Sequence, residues 1–138
     1  MATTTDAEIV LRLYELRREE TFRKARHFMV FAFHPKTHEE LRAVSRDTAA
    51  PENAWWRQTL SFWEMAASLV LRGAVDADLF LDSNGEGILL YAKFQHFHAE
   101  TEKASGSPFM PKTAALIAQY PSAKSLHERF LTMFGPKG

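Results

Sequence analysis

No cysteine occurs anywhere in the 138 residues. That absence excludes disulfides, thiol catalysis and thiolate zinc sites, although it does not by itself set the compartment. Neither sign of charge is in surplus: Lys plus Arg and Asp plus Glu number 17 each, for a formal net charge of zero and a pI near 7.0. Nucleic-acid binders draw affinity from neutralising phosphates, so this balance argues against a general nucleic-acid surface and leaves room only for a local basic patch. Near-neutrality also removes the repulsion that keeps copies apart, which favours self-association. Long apolar runs are missing too. The longest near the start is Phe28 to Phe33, far short of the ~20 residues of a membrane span. The opening stretch MATTTDAE has neither a basic n-region nor an apolar h-region, so no secretory signal is read and a cytoplasmic location is expected. There is no internal repeat and no low-complexity tract.

What is present suffices for one folded domain spanning residues 1–138. A chain this long buries roughly 70% of its unfolded surface without a disulfide or metal staple. Hydrophobic residues at 46%, aromatics at 12% and charged residues at 25% give a full core under an ordinary solvated surface.

Capping and breaking signals divide the chain into helices. Thr5 followed by Asp6-Ala7-Glu8 fits a capping box, and the helix it opens can run to Phe33, where His34-Pro35 stops it. Thr37-His38-Glu39-Glu40 is a second box, opening a helix through about Arg46. DTAAPEN is a connector, with Pro51 suited to a first helical turn. The third helix, 52–72, carries a narrow polar stripe of Arg57, Ser61, Glu64 and Ser68, and the rest of its circumference is apolar. Such a helix must be buried on several sides and is expected to be the central pillar. Arg72-Gly73 ends it. Asp76 caps a short helix to Leu81, and Leu90, Phe94 and Phe97 set a helical rhythm over 86–103. SGSPFMPK is a loop, helices follow at 112–119 and 123–134, and Gly135-Pro136 closes the pattern. The expected fold is all-α, a bundle of about five to seven helices around 52–72.

The stretch DSNGEG, residues 82–87, has three readings. As a calcium loop it fills early oxygen positions, but Lys93 stands where the bidentate Glu belongs. As a hairpin it has Asn84-Gly85, but neither flank alternates. A polar, glycine-bearing turn between two helices is preferred.

FWEMAASLVLRGAVDADLF (62–80) and, upstream, ETFRKARHFMVFAFHP (20–35) resemble a bacterial family of small helical domains of unknown function. The pattern is a helix with an aromatic and a Glu, then Arg-Gly, an apolar pair and an acidic residue opening the next helix. The likeness spans residues 19–91 and implies a helical fold with no known activity. Family members often carry a membrane span ahead of this domain, and none is read here.

Candidate chemistry is sparse. Among the six histidines, His96 and His98 lie about 160° apart on a helix, and His27 and His34 can share a face but find no third ligand at a diagnostic spacing. No metal, cofactor or catalytic residue is assigned. Neither Asp82 with Glu86 nor Glu19 with Glu20 shows signs of a shared cleft. Ser61 lacks a nucleophile elbow, and Gly106 alone builds no phosphate cradle. From Leu16 to Arg26, seven of eleven residues are charged, with Glu19–Arg23 and Glu20–Lys24 in the favourable i,i+4 order. This reads as a solvated, self-paired face.

One feature of the first helix points outward. Leu11, Tyr14, Phe22, Ala25, Met29 and Ala32 form one face, taken as the core side, and Ile9, Leu13 and Leu16 lie nearly opposite. An apolar patch facing away from the core needs a partner. The leading expectation is therefore a non-enzymatic protein-interaction domain that forms a homodimer through Ile9, Leu13 and Leu16. The alternative is a small-molecule binder with an aromatic pocket of Trp55, Trp56, Trp63, Tyr91 and Phe94. No nucleic-acid or membrane partner is expected, and an enzyme ranks behind both readings.

Overall fold

The computed structural model describes residues 1–134, and the expected Gly135-Pro136 stop lies outside them. Among the described residues the chain is all-α, without a strand. The helices are α1 (Thr4–Arg17), α2 (Glu20–His27), α3 (His38–Arg46), α4 (Pro51–Leu71), α5 (Ala77–Leu81), α6 (Glu86–Lys93), α7 (His98–Ser105), α8 (Pro111–Gln119) and α9 (Pro121–Phe134). A π-helical segment, Phe28–Ala32, continues α2, and a 3₁₀ turn, Gln95–Phe97, joins α6 to α7.

The pillar is α4. Asn53, Trp56, Thr59, Trp63, Ala66, Ala67 and Val70 are buried, mostly three or four residues apart, the period of a helix face. It packs against α2, α3, α6, α8 and the π segment, as a helix apolar over most of its circumference must. Its polar stripe reaches solvent at Arg57 and Ser61 but is half-buried at Glu64 and Ser68. The Glu64 carboxylate accepts from the backbone amides of Lys112 (2.9 Å) and Thr113 (2.8 Å), capping α8 from a neighbouring helix. On the far side α6 lies against α9 and α8.

Two helices read as continuous are each broken in two, which turns seven expected helices into nine among the described residues. The first break is at Arg18-Glu19. Glu19 leaves the helical region (φ −59°, ψ 137°) and its carboxylate accepts from the amides of Thr21 and Phe22, so it caps α2 instead of pairing with Arg23. These amide donors hold the Glu19 carboxyl below its usual range. The second break is at Phe94, where the tighter 3₁₀ turn keeps both Phe94 and Phe97 in the core while α7 leaves it, burying none of its residues. The N-terminal cap is also displaced. Thr3, not Thr5, accepts from Asp6, and Asp6 returns the bond to the Thr3 amide.

DSNGEG leads from α5 into α6, with Asp82 to Gly85 as the connector and Glu86 and Gly87 in the first turn of α6. Its glycines serve close packing and not a hairpin turn. A Cβ on Gly85 would come within 2.8 Å of Leu126 in α9, and one on Gly87 within 3.0 Å of the Trp63 Cβ in α4.

Candidate functional site

The register change at the end of α2 shapes the surface. In the π segment the amide of Phe33 donates to Phe28, five residues back, at 2.8 Å. An α-helical register would have sent that bond to Met29. The freed Met29 carbonyl accepts instead from the Lys93 ammonium at 2.7 Å, with the Val30 carbonyl at 3.4 Å. Isolated π turns of this kind recur at functional sites, where they redirect side chains. Phe31 lies within this segment and is 69% exposed.

Phe31 stands at a groove of about 690 Å³ formed by α2, the π segment, the start of α4 and Glu86 of α6. Phe28 and Trp55 make its apolar wall, ring centres 5.3 Å apart, and His27 lies 5.5 Å from the Phe31 ring. The floor is an ion pair: Arg26 grips Glu86 in bidentate fashion, both bonds 2.9 Å, with little of either side chain exposed. The Trp63 indole N–H donates to the same carboxylate at 2.9 Å. Three donors therefore engage both oxygens of Glu86 at the start of α6. It anchors α2 to α4 and α6.

Arg17 completes the inner layer. It donates to the Ser83 carbonyl (3.1 Å) and the Asn84 amide oxygen (3.4 Å), and lies over the Trp63 ring. The charged stretch 16–26 is thus not one solvated face, since Arg17 and Arg26 turn inward. At the rim Glu20 lies 3.8 Å from Lys24. Arg23 has no ion-pair partner among the described residues, so the groove carries local positive charge on a molecule with none overall.

The five aromatics expected to share a pocket do not. Trp63 and Phe94 are sealed in the core. Trp56 lies tilted against Phe94, ring centres 5.3 Å apart, and lines a different cavity. Tyr91 is half-buried beside His98 and His127. Trp55 alone reaches the groove. The four aromatic side chains of α4, Trp55, Trp56, Phe62 and Trp63, fall in two adjacent pairs, and neighbours on a helix point about 100° apart, so richness in sequence does not place them together.

The expected interface is also rearranged. Leu13 is only 3% exposed in the core and Ile9 packs against that core, while Leu16 remains at the surface. The outward apolar residues of α1 are Leu11 (62% exposed) and Tyr14 (54%). The two faces exchange because α1 and α2 are separate helices, broken at Arg18-Glu19. The core face of α2 cannot be projected back onto α1.

Sequence reasoning missed Arg23, Lys24, His27 and Phe31 as groove residues. A signal existed: six successive apolar residues, Phe28 to Phe33, go right round a helix, so one of them must face out.

Among the described residues no three metal-ligating side chains converge, and no helix is long and apolar enough to cross a membrane. A family model described as a domain of unknown function (DUF4760) matches residues 2–120. The chain belongs to that family. The DUF4760 match is wider than the stretch 19–91 that carries the sequence resemblance, and it includes α1 to α8 and every residue of the groove. Helix α9 lies beyond it. No curated protein and no solved structure matches the chain.

Proposed function

We propose that this DUF4760 member is a non-enzymatic protein-interaction domain whose groove receives an acidic peptide segment carrying an apolar anchor. The observation that carries this reading is Phe31, a large aromatic held 69% exposed on a backbone segment pinned from behind by Lys93. An exposed aromatic on a fixed element is a low-entropy anchor for a partner. Burying it contributes about 1–2 kcal/mol. Arg23 and His27 beside it supply donors suited to carboxylates, and the open groove suits a chain segment better than an enclosed small molecule.

The test is selection from a displayed random-peptide library against the purified protein and against a Phe31→Ser/Arg23→Glu variant. Enrichment of sequences joining Asp or Glu to a large apolar residue, on the parent only, is expected. No enrichment, or the same sequences on both, would overturn the reading.

A second reading rests on a separate observation, the outward Leu11 and Tyr14 one turn apart on α1. They replace Ile9 and Leu13 as the side chains through which two copies would meet. Sedimentation should then show a dimer that Leu11→Glu converts to a folded monomer. A parent monomeric at 100-fold different concentrations would remove this reading.

A further inference from the structure

Trp55 and Trp56 are adjacent in α4 yet look into different cavities. Trp56 faces a second one, about 310 Å³ and half open to solvent, bordered by α3, α4, α7 and the loop leading into α8. It shares no lining residue with the groove. We infer that this cavity is a binding site for a small aromatic anion, of which an aromatic carboxylate is the simplest.

Its two ends differ in chemistry. One is apolar, with Trp56 and Phe109, ring centres 6.1 Å apart, joined by Leu60 and Met110. Both rings are almost wholly buried, and both line this space. The other end carries Arg42 and Arg46. Arg46 donates to the Ala104 carbonyl at 3.2 Å, leaving most of its donors unused. Arg42 has no hydrogen-bond or ion-pair partner among the described residues. Pockets for small ligands combine an apolar body with a few convergent polar groups in this way, and 300 Å³ is the size at which they begin.

The one carboxylate in the lining does not cancel the two guanidinium groups. Both oxygens of Glu64 are taken by α8, through the amides of Lys112 and Thr113 and the Thr113 hydroxyl at 2.7 Å. This also means that the α8 N-terminus is already satisfied and is not the anion subsite. The free positive charge lies at the α3 side, so the ligand's anionic group points to Arg42 and Arg46 and its ring to Trp56 and Phe109.

The wall between loop and α8 is strained. Met110 adopts φ 45°, ψ 60°, a left-handed conformation unfavourable for a long side chain. Both Phe109 and Met110 are buried, and the turn between them directs two successive side chains inward. Strain of this kind persists where surrounding structure enforces it and gathers at ligand sites.

The experiment is amide shift mapping and calorimetry of the whole chain with benzoate and indole-3-carboxylate. Benzyl alcohol, acetate and inorganic phosphate are the comparison probes. The site predicts saturable shifts in residues 42–46 and 101–110, with the neutral alcohol and the ringless anions binding about tenfold more weakly or less. Arg42→Gln, at an exposed position, should lower affinity about tenfold with an unchanged melting temperature, as loss of a charged hydrogen bond would. Arg46→Gln is the second variant. Three outcomes would overturn the assignment: no saturable shifts in those segments, shifts confined to the α2 groove, or affinity indifferent to both arginines. Because the two sites share no residue, failure here leaves the peptide groove standing, and the reverse also holds.

Discussion

The ammonium nitrogen of Lys93 lies 2.7 Å from the carbonyl oxygen of Met29. This bond joins the end of α6 to the segment where α2 changes register, and it answers the acceptor which that register leaves open. Lys93 is 5% exposed, and no carboxylate pairs with it among the described residues. Burial lowers its pKa to about 8.

A pH dependence follows from that value. The unfolded lysine holds its proton to about 10.4, so between pH 8 and 10 the unfolded chain binds more protons at this position than the folded one. Stability from this group therefore rises with pH across that window. Lys93→Met sheds the cost of a buried ammonium but strands the Met29 carbonyl, about 1–3 kcal/mol, so the two effects offset near pH 7. Urea titrations at pH 7, 8, 9 and 10 should show the parent gaining on the variant as pH rises. Parallel stabilities would contradict the buried ammonium.

His98 gives the opposite end of the range. Burial among Tyr91, Phe109 and His127 lowers its pKa to about 4, against a weaker opposing pull from Glu102. The unfolded imidazole takes up its proton near 6.5, so the neutral folded form loses stability as pH falls from about 6.5 to 4. A melting-temperature series from pH 7 to 4 should fall more steeply for the parent than for His98→Phe. Equal slopes would place the acid sensitivity elsewhere.

Gly85 and Gly87 separate two kinds of close approach. The Trp63 Cβ that a Gly87 side chain would meet at 3.0 Å belongs to the pillar helix and cannot retreat. Gly87→Ala should cost about 1–3 kcal/mol by overpacking. Gly85→Ala comes too close only to the far end of the Leu126 side chain, with Phe130 at ordinary contact distance, at an ordinary backbone angle, φ −90°, and should cost clearly less. Denaturant midpoints of the two variants decide this, and equal losses would refute it.

The Arg26–Glu86 pair is the groove's floor, and breaking one side should hurt more than removing both. Glu86→Gln strands a largely buried guanidinium and weakens the Trp63 bond, an expected loss of about 2–4 kcal/mol, just below that for a fully buried pair. Arg26→Met with Glu86→Leu should recover part of it. A double-mutant cycle of Arg26→Met, Glu86→Leu and the two together measures the coupling. Additive losses would mean that the pair is not coupled.

Much of the fold was legible. The second capping residue Thr37, Pro51 at the start of α4, the Gly73 stop and the Asp76 cap all stand where local rules put them, because each depends on neighbours within a few residues. The two helix breaks were not legible. Glu19 has a strong i,i+4 partner in sequence, and only the packing of α1 against α5 and α2 favours its use as a cap. The site suffered most. One missed break exchanged the faces of α1, so Leu13 passed from interface to core. The π register depends on Lys93, 64 residues from Met29, and no local pattern announces it. Only Trp55, of the residues singled out for binding, lines the groove.

The most direct measurement is an amide shift map of the protein with the tightest peptide from the library selection. The account predicts saturable shifts clustered in residues 20–32, at Trp55 and at Glu86, with affinity lowered at least about tenfold by Phe31→Ser. Shifts centred on α1 or on the Trp56 cavity, or affinity unchanged by Phe31→Ser, would contradict it.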